Sequence, residues 1–529
     1  MSERFRHKLT SIPEPYVFFF LFIASAIVRV AYLGSIPGGY QMDEAYSAWN
    51  AFSLYHSGID SSGHSWPVYF EAWGHGQNAL NSYLMLPLIA LWGGHVNLLI
   101  VRLPQVIISL ATLAAVYAIM RKAFSITAAR WALFLLGICP WHVTMSRWGL
   151  ESNLAPGLLI LGLCFFLYGL ERPFFLPLSA LFYGLSLYGY AVIWPIVPII
   201  LLLQSIYGIY HKKLTINKWS LCSIFIVLIL GIPLFLFLLV NMNYLPEFQI
   251  GPFSVYKMTM FRGNEIAHSF DAIIHNIRNM LYLFYHQDVG RPYDVIMPHG
   301  FFYNVGRIFI IIGIVVLLYQ ITYSFLHRKF NASFFLFVQL IGGAIVGALV
   351  TVGMTQINCA YIPLVLCETI GVTAITSAAR KIKQWLSPVI ATLLIALYLN
   401  SFWNFEVIYY TDYKELVSAF FQEGSLEAVR AAFSYAKENS MDVYIDDALK
   451  YPNVLLYTET TAEEYLEKII YSDSLPAPAQ FTKDNVTFHM GVPDLPPQNN
   501  CVYIVYSGVE EKYSSFHLTQ FYYWYLAVP

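Results

Sequence analysis

The chain has 529 residues, of which 57% are hydrophobic, 17% aromatic and only 12% charged, with a net charge of −2 and a mean hydropathy of +0.56. Soluble domains carry about 25% charged residues, so an ordinary soluble protein is excluded. The near-neutral balance names no partner by itself, and no nucleic acid is expected.

Apolar runs close to the length of a bilayer crossing recur through most of the sequence. In chain order they predict spans at about 15–33, 98–120, 131–146, 154–170, 174–189, 191–210, 219–240, 303–326, 332–351, 359–378 and 386–403. That makes an all-α polytopic membrane protein of about eleven helices. Val17 to Leu33 lacks a small-residue cleavage site, so the first run reads as a retained helix. Basic residues orient the set. Arg4, Arg6 and Lys8 precede the first span; Arg121, Lys122 and Arg130 join the second to the third, and Arg172 the fourth to the fifth. Lys212, Lys213 and Lys218, then Arg328 and Lys329, then Arg380, Lys381 and Lys383 follow in the alternate connections. With this count every cluster falls on one face, the cytoplasmic one, so the amino terminus is expected inside and the carboxyl end outside.

The outer face then carries the long segments. The loop at 34–97 contains an apolar stretch interrupted by Pro87, which predicts one or two helices lying along the membrane. A second large outer loop covers 241–302. From 404 to 529 charges return, and strand-like runs ("DVYIDD", "NVLLYT", "NVTFHM", "CVYIVYS") alternate with helical patterns ("SLEAVRAAFSYAKE", "TAEEYLEKII"). Residues 1–403 are thus a membrane domain and 404–529 a small extracytoplasmic α/β domain. Ser425, after Gly424 and before Glu427, marks a helix start. The six cysteines form no CxxC or metal-ligand spacing and read as packing residues.

Where the first outer loop begins, "GGYQMDEAYSAWN" places Asp43 and Glu44 side by side. One reading is that they favour a helix start electrostatically; the other is that a recessed carboxylate serves as a general base. Arg29, Arg102 and Arg147 stand at outer span ends on the same face. They either snorkel or grip a lipid phosphate through the planar guanidinium.

The "DE" pair, the Arg that closes the first span, "VRLP" opening the next and "SRWGLES" after the third resemble the GT-C membrane glycosyltransferases. The resemblance is to bacterial relatives of the dolichyl-phosphate-mannose protein mannosyltransferases, glycosyltransferase family 39. It is carried by residues 1–200, thins over 200–400 to topology and short stretches such as "NCAYIPL", and does not reach the tail. It implies the GT-C fold and transfer of a sugar, with inversion, from a polyprenyl-phosphate donor to an acceptor hydroxyl at the outer face of a plasma membrane. Asp43 matches the family's catalytic acid, and Glu44 its neighbour. Arg29, Arg147 and Arg291 would meet the donor phosphate. Glu71, His75, Gln77, Glu151, Asn153, Tyr190 and Asn358 are the implied substrate contacts. No obligate metal is expected, because a monophosphate leaving group asks less of its surroundings than a diphosphate. The partners are the bilayer, the lipid-phosphate sugar and a glycan, lipid or protein acceptor. A transporter or lipid flippase, or a membrane scaffold, remains the alternative. Polar residues concentrated on one face rather than at the midplane weigh against a transporter.

Overall fold

The computed structural model describes residues 13–261, 266–471, 478–492 and 496–529. The basic cluster Arg4, Arg6 and Lys8 lies outside the described residues. The first helix, α1 (Glu14–Val30), is followed by α2 (Met42–Ser57), a hairpin of β1 (Tyr69–Ala72) and β2 (His75–Asn78), and α3 (Leu80–Leu91). Helices α4 (Leu98–Ala123), α5 (Ile126–Gly137), the short α6 (Pro140–Met145), α7 (Leu154–Gly169), α8 (Leu176–Gly189), α9 (Ile196–Tyr210) and α10 (Lys218–Asn241) come next. A small hairpin, β3 (Phe248–Ile250) and β4 (Phe253–Val255), leads to α11 (Phe270–His286). The last membrane-length stretch is α12 (Arg307–Leu326), α13 (Ser333–Leu349), α14 (Tyr361–Ile382) and α15 (Leu386–Tyr410).

Among the described residues six helices are long and apolar enough to cross a membrane: α4, α7 with the turn before it, α10, α12 and α14 with the turns before them, and α15. The other expected spans fall on shorter apolar helices, including α5, α8, α9 and α13. Leu221, Ile224, Phe225, Leu228, Ile229 and Ile232 of α10 face outward and exposed, an apolar surface of the kind that lipid covers without penalty. The chain is a multi-pass membrane protein.

Several expectations are corrected by this architecture. The span expected at 131–146 ends at Gly137, because Pro140 has no N–H to continue the helix. Pro87 does not interrupt its segment; it sits inside α3. The helix expected to end at 403 continues to Tyr410. "NVLLYT" forms a helix rather than a strand: Pro452 falls in its first turn and Pro452 to Tyr457 are buried all round, so the run carries no period that tells helix from strand.

The tail builds α16 (Asp412–Ser418), α17 (Ser425–Asn439), α18 (Tyr451–Tyr457) and α19 (Ala462–Glu467) around a mixed sheet. Its strands are β5 (Asp442–Ile445), β6 (Ile470–Tyr471), β7 (Pro478–Lys483), β8 (Val486–Met490), β9 (Cys501–Tyr506), β10 (His517–Phe521) and β11 (Trp524–Val528). They lie in the order β10-β11-β9-β5-β8-β7-β6, with β5 parallel to both β8 and β9 and the other pairs antiparallel. This unit is not a tethered appendage. One apolar core joins Ala45, Trp49 and Phe52 of α2, Met85 of α3 and Val101 of α4 to Val429, Leu455, Phe488, Ile504 and Trp524 of the tail. Polar bonds reinforce it: Trp49 Nε1 donates to the Thr460 carbonyl at 2.7 Å, and the Ala462 amide to Ser53 Oγ at 3.1 Å.

Candidate active site

Arg29, Arg102 and Arg147, the three arginines at the outer span ends, are each fully buried, and each binds protein oxygens. Arg29 uses all five guanidinium N–H groups: Nε on Ser109 Oγ, Nη1 on the Ser25 and Gly137 carbonyls, Nη2 on the Leu136 carbonyl and His142 Nδ1. Pro140 is the cause. It cannot donate to Leu136, and the Trp141 amide bonds to Phe301 instead of Gly137, so Arg29 supplies what the broken helix end lacks. Arg147 likewise caps α1, with Nη1 on the Val28 carbonyl at 2.8 Å, Nη2 on Ile36 and Nε on the Tyr409 hydroxyl. Arg102 binds the Leu33, Pro37 and Gly39 carbonyls and both oxygens of Glu44, at 2.8 and 3.2 Å. It thereby pins the whole segment that leads into α2.

The adjacent acids are unlike each other. Glu44 is fully buried; besides Arg102 it accepts from the Gly149 amide at 2.9 Å and closes a capping box with Gln41. Both its oxygens are engaged in holding the fold, not turned to a cavity. Asp43, in the same helical turn, is half-buried. Trp73 Nε1 donates to its Oδ1 at 3.1 Å, and Gln77 Nε2 donates to its backbone carbonyl at 3.1 Å.

Several buried polar atoms of the expected residues and their neighbours meet no hydrogen-bond partner among the described residues: Gln77 Oε1, Asn78 Oδ1, His75 Nδ1, Glu151 Oε2, Asn153 Oδ1 and Asn358 Oδ1. The amide orientations are fixed by what their N–H groups bind. Gln77 donates to Asp43, Asn153 to the Met145 and Trp148 carbonyls, and Asn358 to the Ser152 carbonyl at 2.8 Å. Carbonyls only accept, so each side-chain oxygen points the other way. Gln77 and Asp43 both lie near the Glu151 carboxylate, and Tyr190 lies near Glu151 and Thr355. The sequence-expected residues Asp43, Gln77, Glu151 and Tyr190 are thus brought together, whereas Asn358 binds the backbone next to Glu151. A buried polar atom without a partner costs about 1–3 kcal/mol, and two side by side, on Gln77 and Glu151, suit a hydrogen-bonding ligand.

Other expected residues stand apart or act indirectly. Glu71 accepts from the Thr259 amide at 3.1 Å and fastens the hairpin to the loop beyond α10. Arg291 is exposed and approaches Tyr293, whose surroundings also include Asp43. Asp294 is buried, 6% exposed, and burial pushes its carboxyl up to about 6 against the pull of Arg291. A carboxyl raised in the fold favours folding while protonated and loses that contribution as pH rises from about 4 to about 6. Asp294→Asn is therefore expected to raise the thermal unfolding midpoint at pH 8, by at most about 3 kcal/mol equivalent, and to leave it unchanged at pH 3.5.

The sequence reading did not reach Trp73, Gln41 or the aromatic residues Tyr293 and Tyr451. Gln41 gave no signal, since glutamine is not a preferred helix-capping residue and its box with Glu44 shows only in the fold.

No family model matches the chain, and no curated protein matches it in sequence. Among solved structures it is similar to ArnT from Cupriavidus metallidurans bound to undecaprenyl phosphate, with a TM-score of 0.54 and 12% identity over 96% of this chain and 97% of that one. The apo state of the same protein gives 0.51 and 11% over 97% and 98%. At such identity what is shared is the fold, over essentially the whole length of both chains, and it is the GT-C fold expected from the sequence.

Proposed function

We propose that the chain is a membrane glycosyltransferase that moves a sugar from a polyprenyl-phosphate donor to an acceptor hydroxyl, with inversion, on the outer face of a cell membrane. The observation that carries this reading is Asp43, a half-buried carboxylate beside Gln77 and Glu151, whose side chains each keep a buried oxygen without a donor among the described residues. Sugar hydroxyls are such donors. Asp43 takes the acceptor proton as the bond to the anomeric carbon forms and the lipid phosphate departs. A carboxylate with a reference pKa near 4 is too weak a base to ionise a hydroxyl beforehand, so proton transfer is concerted and late.

Gln77, Glu151, Asn153, Asn358, Tyr190 and His75 line the sugar side. Arg291 meets the donor phosphate, because it is exposed near Asp43 whereas Arg29 and Arg147 are committed to carbonyls and hydroxyls of the protein. We assign Glu44 a positioning role through Arg102 rather than a contact with substrate. One cation at a monophosphate leaving group supports a reaction without an obligate divalent ion. The order of "DE", "VRLP" and "SRWGLES" supports the mannosyltransferase-like group, and the one-sided basic clusters support an extracytoplasmic tail. Similarity in fold to a protein whose structure holds undecaprenyl phosphate agrees with the donor class.

The test supplies membranes containing the chain with a panel of polyprenyl-phosphate sugars and native envelope extract, in excess EDTA, and measures free polyprenyl phosphate. Release with one donor is expected. A flippase or transporter would move the intact donor and release none.

A further inference from the structure

Trp73 stands at the turn of the β1–β2 hairpin, where it and Gly74 both adopt left-handed backbone, φ +57° and +73°. Two-residue turns of this kind favour Asn or Asp before Gly, and a bulky side chain is disfavoured at positive φ. Tryptophan sits there against local preference, so something other than the turn retains it. Part of the reason is its hydrogen bond to Asp43. An asparagine could donate one as well; the indole adds a broad aromatic face.

That face belongs to an aromatic corner, in which the Trp73 and Tyr451 rings meet at 66° and Tyr451 stacks on Tyr465. The half-buried Trp73 ring lies 5.5 Å, centroid to centroid, from Tyr46 and 5.5 Å from Tyr451, the half-buried first residue of α18 in the tail. Tyr451 also meets Trp49 and Tyr46 at 6.2 Å. The hairpin therefore has two chemically distinct ends. At its open end Tyr69 packs on Trp194 and Phe237 of the helical bundle, and Gln77 stands beside Glu151. At its turn Trp73 packs on the tail. Asp43 touches both: its side chain is held by Trp73 and its carbonyl by Gln77.

We propose that the corner of Trp73 and Tyr451 is the acceptor subsite and that it takes a saccharide ring, so that the acceptor is a glycan. This rests on the glycosyltransferase reading and deepens it. The donor sugar fills the polar pocket on the bundle side; the acceptor approaches Asp43 from the tail side. A sugar ring has an apolar C–H face that packs on an aromatic ring and a hydroxyl edge that can reach a carboxylate beside it. A serine or threonine on a peptide brings one methylene or methine next to its hydroxyl and covers neither ring. The tail is thus part of the site, since it contributes Tyr451.

The experiment is saturation-transfer NMR on the full chain in nanodiscs, irradiating protein aromatic protons. The probes are methyl cellobioside, a threonine-containing pentapeptide of similar mass, and mannose linked to a ten-carbon isoprenyl phosphate. Transfer to the ring C–H protons of the disaccharide is expected. It should fall about fivefold in Trp73→Ala and in Tyr451→Ala, while Tyr451→Phe, which keeps the ring, retains most of it. The sugar protons of the donor analogue should depend on Gln77 and not on Tyr451, as read in Gln77→Ala and Tyr451→Ala. Peptide signal without disaccharide signal, disaccharide signal unchanged in both alanine variants, or loss of the donor's sugar signal in Tyr451→Ala would each overturn the proposal. Ring-dependent disaccharide binding with no donor-analogue signal in wild type would uphold a saccharide subsite and count against the transferase reading instead.

Discussion

Asp43→Asn is expected to reduce sugar transfer about 10²- to 10⁴-fold, the usual contribution of a positioned proton acceptor, and to leave the fold intact. The amide oxygen of asparagine still accepts from Trp73 Nε1, and the start of α2 keeps its Gln41–Glu44 capping box. What disappears is one half-buried charge at a helix start, worth about 0.3–1 kcal/mol. Normal yield and unfolding midpoint with lost transfer would separate Asp43 from every structural residue around it. Asp43→Glu, which restores the charge on a longer arm, should recover part of the rate if reach is the only error.

Glu44→Ala is expected to have the opposite profile, with stability falling by about 3–5 kcal/mol. The substitution leaves the Arg102 guanidinium buried with its carboxylate partner removed, and the Gly149 amide and Gln41 cap lose their acceptor as well. Because Arg102 also holds the Leu33, Pro37 and Gly39 carbonyls, the loss spreads into the segment that places Asp43. Glycine at position 149 is part of the same lock: a Cβ there would come within 2.8 Å of Val101 Cγ1 and 3.0 Å of Glu44 Oε1. The double variant Glu44→Gln, Arg102→Met is expected to regain part of the stability lost in Glu44→Ala, since a neutral pair leaves no buried charge. Thermal unfolding of the purified variants, arranged as a double-mutant cycle, measures the coupling.

The membrane class and the two-part architecture were legible because each rests on a long-range average, apolar run length for the bundle and returning charge for the tail. Local chemistry was less so. "MSRWG" and the Arg ending α1 looked like phosphate ligands because a sequence shows a charge near an interface but not the carbonyls that Pro140 and the end of α1 leave unsatisfied. Asp43 and Glu44 are neighbours in sequence, yet a helix turns them about 100° apart, so Glu44 faces Arg102 and Asp43 faces Trp73. The aromatic corner could not be read at all: Trp73 and Tyr451 are 378 positions apart, and only the shared core of α2 and the tail brings them together. "NVLLYT" failed for a plainer reason, since a helix buried on every side has no hydrophobic period to betray it.

The most direct test of the central claim compares wild type and Asp43→Asn, at equal protein level, for transfer of radiolabelled sugar from the polyprenyl-phosphate panel into native envelope acceptors. Label that enters acceptor from one donor in wild type, and not in the variant, is the result this account predicts. Transfer that survives the loss of the Asp43 carboxylate would contradict it.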